Sequence, residues 1–278
     1  MDTPNEWHFL STDNLDLFAR RWPAEGPGRA TVVLVHGFAE HCGRYEHVAA
    51  HFASQGITTY ALDLPGHGRS EGDRHIIRSF GPHLSAIRQL LTDAKQREPG
   101  LPIFLLGHSM GGMLVTLLVV TSGADVRGIV LSGPALPHAG NLGFVTKVMA
   151  LAAKVAPWLP LQRLSSVAVS RDPEVVAAYE NDPLVYRGRM RLATIGAFVR
   201  AARRLEADEG RFALPLFVVH GSEDQLASPA GSEQLIARAS SSDKTLKIYD
   251  GLFHEVFNEP EQQQVLSDIT SWIQAHLP

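Results

Sequence analysis

Short apolar runs alternate with stretches of helical spacing along most of this chain, and no other feature limits the fold as strongly. The predicted strands of the first half are residues 30–35, 57–64, 102–106 and 126–132. The predicted helices between them are residues 45–55, 80–97 and 110–121. Strict alternation of this kind predicts βαβ units, which build a mostly parallel sheet with helices on both faces. In such sheets, the site residues follow the carboxyl ends of the strands.

The alternation is interrupted once, and the interruption divides the chain. Residues 7–22 read as an antiparallel hairpin, whereas residues 136–206 contain no clear strand and two or three helices. Strand and helix then alternate again through residues 214–219, 231–239, 245–249 and 260–276. We therefore predict an α/β core formed by residues 1–135 and 207–278, with residues 136–206 inserted as a helical cap.

The predicted cap differs from the rest of the chain in charge. The whole chain has a formal net charge of −4, but residues 137–206 carry ten Lys or Arg against five Asp or Glu. A basic and apolar cap suits peripheral contact with a membrane or micelle, although arginines that only solvate helix surfaces give the same count. Helices are expected at residues 142–156 and 190–204. In the first, Phe144 and Val148 either pack in the core or guide an acyl chain.

Composition excludes several classes of protein. Hydrophobic residues make up 45 % of the chain, which is enough to build a core and excludes disorder as the main state. The acidic balance, without a basic stripe, argues against a nucleic-acid partner. Cys42 is the one cysteine, so neither an intramolecular disulfide nor a cysteine-based zinc cluster is possible. Without a membrane-spanning apolar run or a signal-like start, we expect a cytoplasmic protein with at most peripheral membrane contact.

The strongest chemical signal is the segment 107–111, which reads Gly-His-Ser-Met-Gly and matches G-x-S-x-G. A predicted strand precedes it and a predicted helix follows it, as in a nucleophile elbow. Such a turn needs small residues around the serine because its backbone is strained, and it places the hydroxyl beside the free amides of the helix start. A glycine-rich turn that only packs helix against sheet is the alternative. We predict that Ser109 is a nucleophile.

A serine hydroxyl reacts only when a base removes its proton and an acid orients that base. In this fold the three residues follow in the order Ser, Asp or Glu, then His. Asp224 comes just after one predicted strand, with Glu223 as its local competitor, and His254 follows the next strand. His220 is a competing base, but it precedes the acid and is expected to close its strand structurally. We therefore predict a triad of Ser109, Asp224 and His254.

A tetrahedral intermediate also needs two amide donors for its oxyanion. One is expected from Met110, directly after the nucleophile. The other is expected from the loop after the predicted strand 30–35, the third strand if the hairpin is counted, and Phe38 is the candidate there. Gly37 permits the tight bend of that loop. Asp63 and Ser70 lie in another glycine-rich turn, where we expect them to bond local amides and not to form a second site.

Several segments together resemble one known family. They are residues 36–45 (H-G-x-x-E-H-x-x-R-Y), residues 63–72 (D-L-P-G-H-G-R-S-E-G), residues 107–112 (G-H-S-M-G-G), residues 181–184 (N-D-P-L) and residues 243–249. The first two segments are far more selective than the elbow, which many hydrolases share. From about residue 7 to residue 277, the chain resembles the monoacylglycerol lipase and lysophospholipase group of α/β hydrolases.

This resemblance implies an α/β-hydrolase fold and a carboxylic ester hydrolase that needs neither metal nor cofactor. It implies cleavage of monoacylglycerols to glycerol and fatty acid through an acyl-serine. Ser109, Asp224 and His254 take the triad roles, and Phe38 and Met110 take the oxyanion roles. A lysophospholipase or a broad carboxylesterase is the alternative activity, and a ligand-binding protein with an inactive triad is the alternative without catalysis.

Three positions bear on the choice of substrate. Family members often have a smaller residue where Phe38 stands, so its ring is expected to narrow the acyl entrance or shift the chain-length preference. Tyr179 and Glu180 are candidates for polar contacts with the substrate head group, with a surface helix as the alternative interpretation. The cap otherwise matches the family poorly, so glycerol recognition does not follow from the resemblance.

Overall fold

The computed structural model describes residues 5–74, 76–138, 152–161 and 163–278. Within them the chain forms one eight-stranded sheet in the order β1-β2-β4-β3-β5-β6-β7-β8. The strands are β1 (Glu6–Leu10), β2 (Asp16–Trp22), β3 (Ala30–Val35), β4 (Ile57–Leu62), β5 (Ile103–His108), β6 (Gly128–Ser132), β7 (Leu216–Gly221) and β8 (Lys244–Tyr249). The pairs β1–β2 and β2–β4 are antiparallel and all others are parallel. This is the predicted α/β-hydrolase architecture.

Helices connect the strands as the sequence predicts. They are α1 (Glu46–Ser54), α2 (Gly81–Arg97), α3 (Met110–Ser122), α4 (Pro173–Asn181), α5 (Leu192–Asp208), α6 (Pro229–Arg238) and α7 (Gln262–Ala275). The predicted elements of the α/β core are all present, and their ends differ from the predicted ones by a few residues. Long apolar patterns determine whether a strand or helix forms, whereas the exact residue at which it begins or ends depends on local hydrogen bonds.

Two apolar layers enclose the sheet, one on each face. Buried side chains of α2, α3, α5 and α6 pack on one face, and those of α1 and α7 pack on the other. Strands β3, β4, β5, β6 and β7 are buried along their whole length. Because the parallel strands run the same way, the loops after β3, β5, β7 and β8 meet at one edge of the sheet.

The connection from β6 to β7 contains the predicted cap, and we call residues 136–206 the cap segment and the rest the body. In its described part, α5 corresponds to the predicted helix 190–204 and packs on α3. The sequence did not specify α4, whose N-terminus is capped by Asp172 accepting from the amide of Glu174. Of the predicted helix 142–156, only the last five residues are described, and residues 152–155 are helical. Among described residues, no helix is long and apolar enough to cross a bilayer.

Candidate active site

Ser109 stands in a strained turn between β5 and α3. Its φ is 52° and its ψ is −116°, a conformation that non-glycine residues rarely adopt. The flanking glycines are required for space. A Cβ on Gly107 would lie 2.6 Å from the carbonyl oxygen of Gly111, and one on Gly111 would lie 2.1 Å from that of Val35. The turn therefore has the geometry predicted for a nucleophile elbow.

The same close packing brings the start of α3 against the loop that follows β3. A Cβ on Gly37 would lie 3.2 Å from the Cβ of Ser109, so this loop passes directly beside the serine. Within the described chain, the amides of Phe38 and Met110 donate to no protein acceptor. The structure thus leaves both predicted oxyanion donors unused next to the same serine hydroxyl.

His36 fixes the bend of this loop as a neutral side chain. Its Nδ1 donates to the carbonyl oxygen of Gly37 at 2.7 Å, while its Nε2 accepts from the amide of Leu64 at 2.9 Å. Only one ring nitrogen can be a donor in that arrangement. Burial lowers the pKa of His36 to about 4, which keeps the ring uncharged near neutral pH.

The glycine-rich turn after β4 supports this loop. Asp63 Oδ2 accepts from the amide of Arg69 at 2.8 Å, as predicted. The prediction for Ser70 is wrong, because its hydroxyl donates to the Asp63 carbonyl at 2.5 Å and accepts from the distant amide of Phe18 on β2 at 2.9 Å. Asp63 Oδ1 also accepts from the amide of Cys42 at 2.8 Å, which the sequence did not indicate. Cys42 is 1 % exposed, and burial raises the pKa of its thiol well above the usual value.

Asp224 and His254 meet at the ends of β7 and β8. Asp224 Oδ2 accepts from His254 Nδ1 at 2.6 Å, and its Oδ1 accepts from the amides of Leu226 and Ala227 at 2.8 and 2.9 Å. Burial raises the pKa of Asp224, but hydrogen bonds from the two histidines, His220 and His254, outweigh this and hold it well below its usual range. The carboxylate therefore stays charged and holds the His254 ring with Nδ1 as donor.

Glu223 and His220, the alternatives to Asp224 and His254 in the sequence, have different surroundings from those two residues. Glu223 is exposed. His220 is fully buried behind Asp224, where its Nε2 lies 3.0 Å from Asp224 Oδ2 and 2.8 Å from the carbonyl oxygen of Ala227. Its Nδ1 is 2.8 Å from the hydroxyl of Ser232. His220 is thus a structural residue, as predicted, but it also gives Asp224 a second imidazole donor. The sequence offers only its position four residues before the acid as a signal for this.

Ser109 and His254 line one cavity of about 310 Å³ between the body and the cap segment. The apolar residues that line this cavity include Leu164, Val169, Met190, Ile195, Phe198, Val199 and Leu226. Polar groups also line it, and the residues concerned are Glu40, His108, Tyr179 and Glu255. The apolar residues of α5 were missed from the sequence, where their helical spacing indicates only a buried face.

The predicted substrate contacts have different positions. Tyr179 is buried and lines the cavity. Glu180 is exposed, accepts from the hydroxyl of Ser166 at 2.6 Å and lines an adjoining cavity, which shares Phe38, Leu164, Tyr179 and Met190 with the first. Phe144 and Val148 lie outside the described residues. The Phe38 ring lines the cavity, with its centroid 6.3 Å from that of Phe198 on α5, so it stands where body and cap segment meet.

No metal site accompanies this cavity in the described residues, because no three His, Cys, Asp or Glu side chains there are arranged to hold an ion. The site offers a hydroxyl on a strained turn, an imidazole held by a carboxylate, and two unused amides. Such a set of groups can carry out acyl transfer through a covalent intermediate.

Comparison with known proteins agrees with this chemistry. The family model described as serine aminopeptidase S33, a group of hydrolases, matches residues 26–261. A monoacylglycerol lipase from Mycolicibacterium smegmatis is 42 % identical over 99 % of this chain and 99 % of its own length. The monoglyceride lipase of Mus musculus is 34 % identical over 96 % of this chain and 89 % of its own length.

Solved structures give the same result. The crystal structure of a monoacylglycerol lipase from Paleococcus ferrophilus superposes with a TM-score of 0.82 at 30 % identity. The superposition covers 94 % of this chain and 99 % of that one. The likeness therefore extends over the body and the cap segment together.

Proposed function

Since this chain belongs to the S33 hydrolase family and, within the α/β hydrolases, to the monoacylglycerol lipase group, we propose that it cleaves monoacylglycerols to glycerol and a fatty acid. It is a carboxylic ester hydrolase. Relatives named for this activity match it over nearly the full chain. The triad roles of Ser109, Asp224 and His254 are part of the proposal.

The mixed apolar and polar lining of the cavity supports this substrate class most strongly. An acyl chain can contact the apolar residues, most of which belong to the cap segment, and a glycerol head group can contact the polar groups of Glu40, Tyr179 and Glu255. The ester carbonyl then lies between them, at Ser109. We accordingly take residues 136–206 as a cap that selects the acyl group. A simple esterase substrate would use only part of this arrangement.

In the first half-reaction, the Ser109 hydroxyl attacks the ester carbonyl while His254 Nε2 removes its proton. Asp224 keeps His254 Nδ1 as a donor and stabilises the imidazolium that forms. The amides of Phe38 and Met110 stabilise the oxyanion, and the loss of one such donor raises barriers by about 3 kcal/mol. Glycerol leaves with the proton from His254.

In the second half-reaction, water takes the place of the alcohol. His254 removes a proton from the water, which attacks the acyl-serine carbonyl, and the same amides hold the second oxyanion. Ser109 regains its proton from His254, and the fatty acid is released. The sequence of steps consumes one water for each ester and needs no metal or cofactor.

A substrate panel tests the proposed substrate class. Relative kcat/KM is measured for 1- and 2-monoacylglycerols of several chain lengths, matched lysophosphatidylcholines and short nitrophenyl esters. We expect the monoacylglycerols to be preferred. A preference for the lysophospholipids would assign the runner-up activity, and equal rates on all three classes would assign a broad carboxylesterase.

The nucleophile is tested with Ser109→Ala. This variant is expected to keep the fold by circular dichroism, lose turnover of every ester and lose labelling by a fluorophosphonate probe. A variant that kept most of its activity would remove Ser109 from the mechanism. A wild-type chain that neither reacts with the probe nor turns over any ester would indicate a ligand-binding protein.

We also propose that the cap segment contacts a lipid surface. Val155, Trp158 and Leu159 are 77, 62 and 46 % exposed. They lie beside the basic segment 187–191, which contains three arginines. Two hydrogen bonds join the segments: the Leu192 amide donates to the carbonyl oxygen of Leu159, and Arg191 Nη1 donates to the carbonyl oxygen of Trp158. Exposed apolar residues next to arginines suit the interface of an anionic bilayer.

Vesicle binding tests this contact. We expect sedimentation with vesicles of phosphatidylcholine and phosphatidylglycerol to fall several-fold in Trp158→Ser, and to be weaker with phosphatidylcholine alone. Leu10→Ser is a matched control, because Leu10 is also 62 % exposed but lies on β1. Equal binding by wild type and Trp158→Ser would contradict the proposal.

A further inference from the structure

An arginine and two carboxylates join the loops that carry the two halves of the site. Arg44 donates through Nη1 to Glu40 Oε2 at 2.8 Å, and through Nη1 and Nη2 to Glu255 at 2.6 and 2.8 Å. The side chains of Arg44, Glu40 and Glu255 are 11, 4 and 6 % exposed. This ion bridge was not predicted from the sequence, although two of its residues belong to the segment 36–45 that carries the family resemblance.

Each carboxylate of the ion bridge is connected to a loop of the proposed active site: Glu40 by a hydrogen bond to the oxyanion loop, and Glu255 through the backbone to His254. Glu40 Oε1 accepts from the amide of Gly37 at 2.6 Å, one residue before the oxyanion donor of Phe38. Glu255 is the next residue after His254. A guanidinium that holds both carboxylates therefore sets the distance between the oxyanion loop and the loop of the general base.

The charges of the bridge are held firmly. Burial lowers the pKa of Arg44, but its attraction to Glu255 and Glu40 outweighs this and the net pKa lies well above the usual value. Burial raises the pKa of Glu255, but the attraction and hydrogen bonds of Arg44 lower it by more. The net pKa therefore lies below its usual value and the carboxyl stays ionised. The paired contact with Glu255 fixes orientation as well as distance, because a guanidinium is planar and rigid.

The cap segment covers this bridge. The ring of Tyr179 on α4 lies over the Arg44 guanidinium, 4.8 Å from its carbon to the ring centroid. Tyr179, Glu40 and Glu255 line the cavity, and Arg44 stands behind them. The aromatic ring excludes water from the ion pairs, which strengthens them.

We infer that Arg44 is a positioning residue for ester hydrolysis, acting through Glu40 on the oxyanion loop and through Glu255 on His254. This inference rests on the proposed function. Displacement of reacting groups by about 1 Å can lower a rate about 100-fold. Arg44 then affects the chemical step for every ester, including one that has no glycerol to bind.

The test compares Arg44→Lys, Arg44→Met and the double variant Arg44→Met with Glu255→Gln, which leaves fewer uncompensated buried charges. Kinetics are measured on nitrophenyl acetate and on a monoacylglycerol, with the rate of fluorophosphonate labelling as a direct report on Ser109. We expect kcat to fall about tenfold in Arg44→Lys and about 100-fold in Arg44→Met on both substrates, with KM for nitrophenyl acetate within about twofold.

A matched control is Arg21→Lys. Arg21 donates through two nitrogens to Glu98 in a half-buried ion pair that lies outside the cavity. This variant is expected to keep kcat while losing a similar amount of thermal stability. If Arg44→Lys loses stability alone and keeps kcat, the inference is wrong.

Three other results would also overturn the inference. A loss confined to the monoacylglycerol would make Arg44 a contact for the glycerol group. A wild-type chain without activity on any ester would overturn the proposed function and the inference together, whereas an active wild type with unaffected variants overturns the inference alone. Partial recovery of Arg44→Ala by added guanidinium, at concentrations that leave Arg21→Ala unchanged, would support it.

Discussion

The body and the cap segment place their residues in the shared cavity by different means. In the body, Ser109, Asp224 and His254 follow buried parallel strands, whose pairing fixes the loop ends. The described cap segment has only a small apolar cluster of its own, formed around Val169 and Tyr179. Strand topology therefore positions the proposed triad, whereas the proposed acyl surroundings come largely from α5, which packs on α3, and from this small cluster.

Individual polar contacts attach the cap segment to the active-site loops. His41 Nε2 donates to Asp182 Oδ2 at 2.8 Å, because its Nδ1 accepts from the amide of Gly43. The Tyr186 amide donates to the carbonyl oxygen of Ala39 at 2.8 Å. Changes to the proposed triad in the body should affect all esters alike, and changes to the apolar residues of the cap segment that line the cavity should discriminate among them.

The largest effect is expected when the body loses the charge that orients its base. Asp224→Asn lets an amide face the ring of His254, favours the wrong tautomer and is expected to lower kcat about 10⁴-fold. The loss should be equal for a short nitrophenyl ester and a long monoacylglycerol. Glu223→Gln, one residue away and exposed, serves as the control and should leave both rates unchanged. A loss that depended on chain length would break the distinction between body and cap.

Mild acid is expected to have an intermediate effect, a loss of unfolding free energy that arises from buried histidines of the body. Burial lowers the pKa of His83 and His67 to about 3, and of His36 and His108 to about 4. Because these values lie below the ordinary 6.5, the unfolded chain binds protons first, so stability is lost as pH falls from about 6.5 towards about 4. For His83 alone the loss at pH 5 is about 2 kcal/mol.

Urea unfolding at pH 7 and pH 5 measures this dependence. His83→Phe, which removes the titrating group but keeps an aromatic ring, should make the difference between the two unfolding free energies smaller. An unchanged difference would show that His83 titrates normally in the folded protein. The cap segment contributes little here, since His138 is its only histidine.

The smallest effect is expected from the cap, and it should be selective. Phe198→Ala removes an apolar wall of the cavity and is expected to lower kcat/KM for a long-chain monoacylglycerol about tenfold, through lost contacts with the chain. The short nitrophenyl ester should change less than about twofold. Val167→Ala, at a position 65 % exposed, is the control within the cap segment. An equal loss on both esters would mean that the cap also positions the reacting groups.

The sequence predicted the body well because two independent patterns agree there. Long apolar runs with strict alternation fix the sheet, and G-x-S-x-G directly after β5 fixes the place of Ser109. Once the sheet is parallel, residues that follow strand ends must meet at one edge, so Asp224 and His254 could be assigned without any knowledge of their distance.

In the described cap segment, the sequence predicted α5 but missed α4 and the polar contacts with the body, because these contacts join positions that are far apart along the chain. The short α4 lacks a long apolar pattern, and the pairing of Asp182 with His41 spans 141 positions. The ion bridge from Arg44 to Glu255 lies in the body, and it was missed for the same reason, because it spans 211 positions. Charged side chains of this kind resemble surface residues until the fold shows that they are buried and paired.

Because the chain has one cysteine, Cys42, thiol alkylation can measure the opening of the body separately from the behaviour of the cap segment. It is the one thiol of the chain, and in the native body it is buried and protonated, so an alkylating reagent reaches it only when that region opens. A second thiol introduced by Val155→Cys would be largely exposed, as Val155 is, and would react much faster. The alkylation rate at Cys42 then reports the opening of the body, and a fluorophore carried at position 155 reports the movements of the cap.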